Sequence, residues 1–271
     1  MLGIHQAFDG IQGLIFDALS LGADTFQFFV RNNRNLKMRQ FHAMDFKYFN
    51  EALENSDITT YVLHASYAMN PASIDEDKRQ NAVRVIKEDL SVLASMNGNK
   101  KYVLHPGSAT DCYRTEALMQ LVKTMYDVFP FVPKNTTICL EFMAGQGTQL
   151  LSSLMEIKAL RTMFEPTEPL QICVDTCHAF GAGFPPEKTL AELEDVTGFS
   201  IGVIHLNNSA KPFGSHVDRH AGIYDSTGKI NVRELEHIYD MYKSDKNIPI
   251  ILETPEDYLE SDFKILREKF G

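Results

Sequence analysis

Eight short apolar runs recur along this 271-residue chain, and a segment of helical periodicity follows each of them. The runs read as strands near residues 2–5, 25–30, 60–64, 101–105, 136–141, 170–175, 201–205 and 248–253. Between them, residues 74–97 place Ala82, Val83, Ile86, Leu90, Leu93 and Met96 on one stripe. That helix is predicted to open on a Ser73…Glu76 capping box and to stop at Gly98. Residues 116–129 repeat the pattern with Leu118, Leu121, Val122, Met125 and Val128, and residues 231–243 do so behind an Asn231…Glu234 start. Segments 9–21, 46–55, 149–164, 186–196 and 256–269 complete the series. No linker, repeat or low-complexity tract divides the chain. The pattern predicts an α/β protein, a single (β/α)8 TIM barrel over residues 1–271, with a doubly wound open sheet as the alternative.

In such a barrel, chemistry sits at the C-terminal ends of the strands. Seven of the eight runs finish on an ionisable residue able to bind metal: His5, His64, His105, Glu141, Asp175, His205 and Glu253. The segments that follow strands add His178, Asp218 and His220. One such residue at one strand end is commonly a solvated cap. Seven on one rim, with none at the strand starts, are a pattern. So many carboxylates and imidazoles would repel or neutralise one another unless cations lay among them. Nitrogen and oxygen ligands favour Zn²⁺, with Mn²⁺ or Fe²⁺ as substitutes. Two carboxylate-bridged ions suit phosphodiester hydrolysis.

Composition narrows the rest. A formal charge of −10 argues against a protein that coats nucleic acid non-specifically, although three dications would offset more than half of it and focus the effect in one cleft. Without an apolar run of about 18 residues or a charged-then-apolar leader, the expectation is a soluble, unsecreted protein of the cytoplasm, nucleoid or nucleus, with no membrane partner. Cys112, Cys139, Cys173 and Cys177 form no CxxC pair and read as reduced thiols. Cys173 and Cys177, placed on one strand face with Asp175, read as packing residues.

The motifs themselves are specific. Ile172-Cys-Val-Asp-Thr-Cys-His178 resembles the CxDTCH signature of the endonuclease IV family of apurinic/apyrimidinic (AP) endonucleases, AP endonuclease family 2. His205-Leu-Asn-Asn-Ser209 with Gly214-Ser-His-Val-Asp-Arg-His220 resembles a second signature, and Gly3-Ile-His5, His105-Pro-Gly-Ser108, Glu141 with Ala144-Gly-Gln-Gly147, and Leu252-Glu-Thr-Pro255 also fit. The match covers nearly the whole chain. The resemblance implies three Zn²⁺ per chain and cleavage of double-stranded DNA on the 5′ side of an abasic site, leaving a 3′-hydroxyl, as a step of base excision DNA repair. Residue by residue, it implies that His64, His105 and Glu141 hold one ion. Glu141, Asp175, His205 and Glu253 would hold a second, and His178, Asp218 and His220 a third. Glu141, Asp175 and Glu253 would form the catalytic core. It further implies DNA contacts from Arg34 and Asn35 in the loop 31–36, where Arg31 reads as part of the same surface turn. Tyr67 would help open the duplex, with Lys211, His216 and Arg219 on phosphates. His5 is expected beside the ligands rather than among them, and the protein is expected to act as a monomer.

Three departures stand out: Asn208 where the family commonly has Asp, expected to alter support for His205; Leu36 where an aromatic is common; and a stretch after His220 without the usual glycine spacing. Two other classes compete. One is a metal-dependent sugar isomerase or epimerase on the same barrel, for which a third triad of His178, Asp218 and His220 is not expected. The other is a non-catalytic lesion-binding protein that keeps its metals for stability.

Overall fold

Parallel pairing closes eight strands into a barrel in this computed structural model, which describes residues 1–8, 10–32 and 36–271. The barrel strands are β1 (Leu2–His5), β2 (Thr25–Phe28), β3 (Thr60–His64), β4 (Asn99–Leu104), β5 (Thr136–Phe142), β6 (Leu170–Asp175), β7 (Ile201–His205) and β10 (Ile250–Leu252). Each pairs with its neighbour in sequence, and β10 closes on β1 through Leu2↔Ile250 and Ile4↔Leu252. A small antiparallel pair, β8 (Asn208–Ser209) and β9 (His220–Ala221), rides on the seventh loop.

Helices cover the outside: α1 (Ile11–Leu21), α2 (Ala43–Glu54), α3 (Glu76–Ala94), α4 (Arg114–Val128), α5 (Leu154–Arg161), α6 (Thr176–Ala182), α7 (Pro186–Thr197), α8 (Val232–Tyr242) and α9 (Glu256–Phe270). Three differ from expectation. Helix α3 starts two residues later than a Ser73 cap requires, because Asp75 accepts from the Asp77 and Lys78 amides while Ser73 Oγ only accepts from Asp75 N. Helix α5 is confined to eight residues, since Leu150 N and Met143 N hold the chain before it in a loop. Residues 176–182 form a helix of their own, so His178 and Cys177 are helical rather than loop or strand residues. Among the described residues, no helix is long and apolar enough to cross a membrane.

Strand periodicity explains how the fold builds the rim. Val62, Val103, Cys139, Cys173, Val203 and Ile251 form a separate apolar cluster, every member fully buried. Side chains along a strand return to the same face every two residues. Two residues beyond those six stand His64, His105, Glu141, Asp175, His205 and Glu253. The apolar layer is therefore the floor on which the polar layer rests, with each side chain of that floor worth roughly 1.5–3 kcal/mol of burial.

One local irregularity tunes this stacking. Ile172 pairs with Ile201, but Cys173 pairs with Val203, so β7 carries an extra residue at Gly202. Without it, Asp175 would face Ile204; with it, Asp175 faces His205. Only glycine fits there, because a Cβ would lie 2.5 Å from Cys139 Sγ and 2.9 Å from the Gln171 side chain.

Candidate metal centre at the barrel rim

Nine side chains converge above the apolar floor. Glu141, 1% exposed, is at the middle: its Oε2 lies 3.2 Å from both His64 Nε2 and His105 Nε2, and its Oε1 lies 3.0 Å from His178 Nδ1 and 3.5 Å from His205 Nδ1. His205 Nδ1 is also 3.1 Å from Glu253 Oε2 and 3.8 Å from Asp175 Oδ2. Asp218 bridges the last two imidazoles, at 3.1 Å from His178 Nε2 and 3.3 Å from His220 Nε2. Asp175 lies 3.5 Å from His220 Nε2 and so stands between the His205 group and the Asp218 group.

The second ring nitrogen of four histidines is already committed. His64 Nδ1 meets the Ala65 carbonyl at 2.7 Å, His178 Nδ1 meets that of Phe142 at 3.1 Å, and His220 Nδ1 meets that of Glu253 at 3.1 Å. His205 Nε2 meets Gln27 Oε1 at 2.9 Å. Carbonyl oxygens only accept, so those nitrogens carry the protons in the neutral rings. The opposite nitrogens are left with lone pairs directed at the carboxylates. Three of them, His178 Nε2, His205 Nδ1 and His220 Nε2, are buried and lack any hydrogen-bond partner. Lone pairs facing carboxylates bind nothing unless a proton or a cation intervenes.

Electrostatics agree. Burial alone would lower the His178 pKa, but Asp175 and Asp218 outweigh it and hold the ring well above the ordinary imidazole range. The same contest, settled by Asp175, Asp218 and Glu253, raises His220, and His205 is raised against its burial by neighbours that include Glu253 and Glu141. Burial would push Glu141 up, yet His105 and His205 hold it well below the usual carboxylate range. Burial also opposes ionisation of Asp218, which His178 and His220 nonetheless bring down to about 2. The cluster calls for positive charge, and bound protons supply it where no cation does.

These residues fit divalent metal. Ligand atoms of His64, His105 and Glu141 lie within 4.8 Å of one another, as do those of His64, His205 and Glu253, and of Asp175, His178 and His220. Cys177 also falls near Asp218 and His220, but burial pushes its thiol up to about 12, and Cys173 is likewise raised by burial. Both stay protonated packing groups, and nitrogen and oxygen donors suffice without them.

Several supporting side chains carried no signal as ligands. Asn207, fully buried, donates from Nδ2 to Asp175 Oδ2 (2.8 Å) and accepts from Glu253 N (2.8 Å), joining two strand ends. Thr176 Oγ1 donates to the Asn207 carbonyl at 2.6 Å. Asp175 Oδ1 caps α6 by accepting from His178 N at 2.8 Å, which gives the Asp-Thr-Cys-His order its mechanical sense. Gln146 Oε1 accepts from Asp218 N at 3.0 Å. Gln27 reaches the rim from the second strand, whose sequence run ends in no ionisable group. His5 lies beside the centre, 3.5 Å from Glu253 Oε1.

Around the rim the expectations fare unevenly. Tyr67 is 56% exposed and stacks loosely on His105, with ring centroids 6.4 Å apart. It walls a cavity of about 370 Å³ that includes Asn70, Lys78, Ser108 and Gln149. Lys211, His216 and Arg219 are exposed on the seventh loop. Arg34 and Asn35 lie outside the described residues. Arg31 is no surface residue: it is 3% exposed and bonded to Glu88 and Asp89, both at 2.6 Å. Asn208 does not touch His205. It binds Ser209 N, Ile230 N and the Ile223 and Ile230 carbonyls, tying the stretch after His220 to β8, and Gly228 is needed because a Cβ would lie 2.4 Å from its amide.

A family model described as a xylose isomerase-like TIM barrel matches residues 15–269. The probable endonuclease 4 of Clostridium beijerinckii is 32% identical over 262 residues, covering 94% of this chain and 93% of that protein. That of Finegoldia magna is 36% identical over 261 residues, covering 94% and 91%. The chain belongs to the endonuclease IV family. The crystal structure of endonuclease IV from Thermus thermophilus superposes with a TM-score of 0.82 at 28% identity, covering 98% of this chain and 97% of the other. A D-tagatose 3-epimerase-like protein shares the fold alone, at a TM-score of 0.70 and 19% identity. Membership in the endonuclease IV family accounts for the ordered set of motifs, and the rim geometry gives those motifs their physical content.

Proposed function

We propose that this protein is a metal-dependent AP endonuclease of base excision repair that hydrolyses the phosphodiester bond 5′ to an abasic site in duplex DNA and leaves a 3′-hydroxyl, acting as a monomer inside the cell. The observation that carries this reading is the set of buried imidazole nitrogens without partners, facing carboxylates on one rim, in a chain whose relatives are named endonuclease 4. His64, His105 and Glu141 would hold one ion; Glu141, Asp175, His205 and Glu253 a second; His178, Asp218 and His220 a third. The donor set, nitrogen and oxygen only, suits Zn²⁺, with Mn²⁺ as a substitute. Such ions, when bound, polarise phosphoryl oxygens and lower the pKa of water.

The chain's own residues do the rest. Glu141, touching four histidines, keeps the ligand groups in one frame, and Asp175 and Glu253 are held to it through Asn207. Tyr67, exposed beside His105, would stack on an opened nucleotide, and the exposed Lys211 and Arg219 would meet backbone phosphates. Arg34 and Asn35 would enter the groove at the lesion. The test is a duplex oligonucleotide carrying one abasic analogue. Cleavage on its 5′ side, lost on prolonged chelation and restored by Zn²⁺, is the expected result. An intact duplex under metal-loaded conditions overturns the reading, and epimerisation of a ketose by the same sample would replace it with the sugar-enzyme alternative.

A further inference from the structure

Gln27 is an uncharged residue in a place where every other strand end offers an ionisable one. It is fully buried, in register with His5 of the rim on β1 and with Val62 of the apolar floor on β3, and so stands between the two layers. Its amide reaches three groups of the polar layer. Nε2 lies 2.5 Å from Glu253 Oε1 and 2.9 Å from His5 Nδ1, and Oε1 lies 2.9 Å from His205 Nε2. Only one amide orientation serves, because the opposite one would set an oxygen against the Glu253 carboxylate. With the oxygen turned to His205, the proton of the neutral ring belongs on Nε2.

That choice is contested locally. His205 Nδ1 faces Glu253, Glu141 and Asp175 at 3.1, 3.5 and 3.8 Å, all acceptors that would draw the proton to Nδ1 and hide its lone pair. We propose that Gln27 is the positioning residue that holds His205 in its Nε2–H tautomer and fixes Glu253 beside it, so that both present ligand atoms to one ion. The inference rests on the metal-centre reading above but not on the DNA substrate. His64, whose tautomer is set by the Ala65 carbonyl instead, serves as an internal control.

The test uses Gln27→Met, which keeps the length and removes both polar ends, and Gln27→Asn, which keeps polarity but not reach should the first variant fold poorly. In the metal-free full-length protein, at a pH high enough that the histidines are neutral, ¹⁵N chemical shifts report the tautomers. Wild type is expected to show His205 as Nε2–H, and the variants a shift towards Nδ1–H, with His64 unchanged. Competition with a chelator for Zn²⁺ is then expected to remove one ion per chain at about 10- to 100-fold lower chelator strength in the variants. An unaltered His205 tautomer overturns the inference even if retention falls, since a packing defect would then suffice. Unaltered retention overturns it even if the tautomer shifts. If wild type binds no Zn²⁺, the metal-centre reading falls instead, and the tautomer comparison alone decides whether Gln27 orients His205.

Discussion

Two clusters of buried charge in this barrel are built on opposite terms. Behind β2, Arg31 donates to Asp89 and Glu88, each at 2.6 Å, and to the Leu36 and Val85 carbonyls, while Tyr102 donates to Asp89 at 2.9 Å. Every guanidinium nitrogen there has a partner supplied by the protein. On the rim, by contrast, four carboxylates and five imidazoles crowd one another, and three buried nitrogens have no partner at all. The first cluster is complete as folded and ties α3 to Arg31 and Leu36. The second is completed only by added positive charge, whether bound protons or cations. A buried charge network that closes on itself is structure, and one left open in a consistent direction is a site.

The comparison breaks most visibly at its hub. Glu141→Gln keeps the volume and removes the charge that touches four histidines, so cleavage of abasic duplex is expected to fall on the order of 10⁴-fold, as when one member of an interdependent catalytic set is lost. Its circular dichroism spectrum should stay that of wild type. Turnover near wild type in a metal-loaded sample would put Glu141 outside the centre. Arg31→Met attacks the closed cluster instead. It leaves Asp89, 1% exposed, without its main partner, and should destabilise the fold by about 3–5 kcal/mol in a denaturant titration while the ion count per chain stays the same. Lost ions with an unchanged midpoint would reverse the two assignments.

The same contrast explains what could be read from the sequence. Strand ends were legible because a barrel strand of period two, apolar until its last residue, announces both the floor and the polar residue above it; six candidate ligands stand two residues past six floor residues. His178, Asp218 and His220, which no periodicity marks, were picked out by their place after strand ends and grouped as a triad only by the family resemblance, since one sits in a helix and the others on a folded-back loop. Arg31 was misread because a charged residue after a strand looks like a surface turn until α3 brings Glu88 and Asp89 to it from 57 and 58 residues away. Gln27 and Asn207 were passed over for a related reason. Neutral amides carry no charge signal, and their value lies wholly in partners contributed by distant strands. The Gly202 bulge is invisible in sequence, because what demands glycine there is the sulfur of Cys139 on a strand two positions round the barrel.

Acid–base behaviour sharpens the comparison at smaller amplitude. His178, His205 and His220 are held above the ordinary imidazole value of about 6.5 in the metal-free fold. A raised histidine stabilises the fold fully below about pH 6.5 and loses that contribution as pH rises through the folded value. The chelated protein should therefore lose thermal stability from neutral to alkaline pH, whereas the Zn²⁺-loaded protein should not, because the ions replace the protons. Zn²⁺ at 100-fold above its dissociation constant should add about 2.7 kcal/mol per site, and its uptake near pH 7 should release protons into a weakly buffered dye solution. Parallel pH profiles with and without Zn²⁺ would mean that the orphaned nitrogens are not ligands.

The smallest effect belongs to the exposed edge of the rim. Tyr67 is exposed and contributes one ring beside His105, so Tyr67→Ala should leave ion content and melting temperature unchanged. Stacking of a base or opened nucleotide on an aromatic is worth about 1–3 kcal/mol, which predicts a rise in KM for abasic duplex of about tenfold. Because the ring carries no charge, that loss should be the same at low and high salt, while the overall affinity of both proteins falls steeply as salt rises and phosphate contacts are screened. A Tyr67→Ala penalty that vanishes at high salt would move the residue from stacking to electrostatic support of the rim, and would make His105, its neighbour at the exposed side of the centre, the group through which it acts.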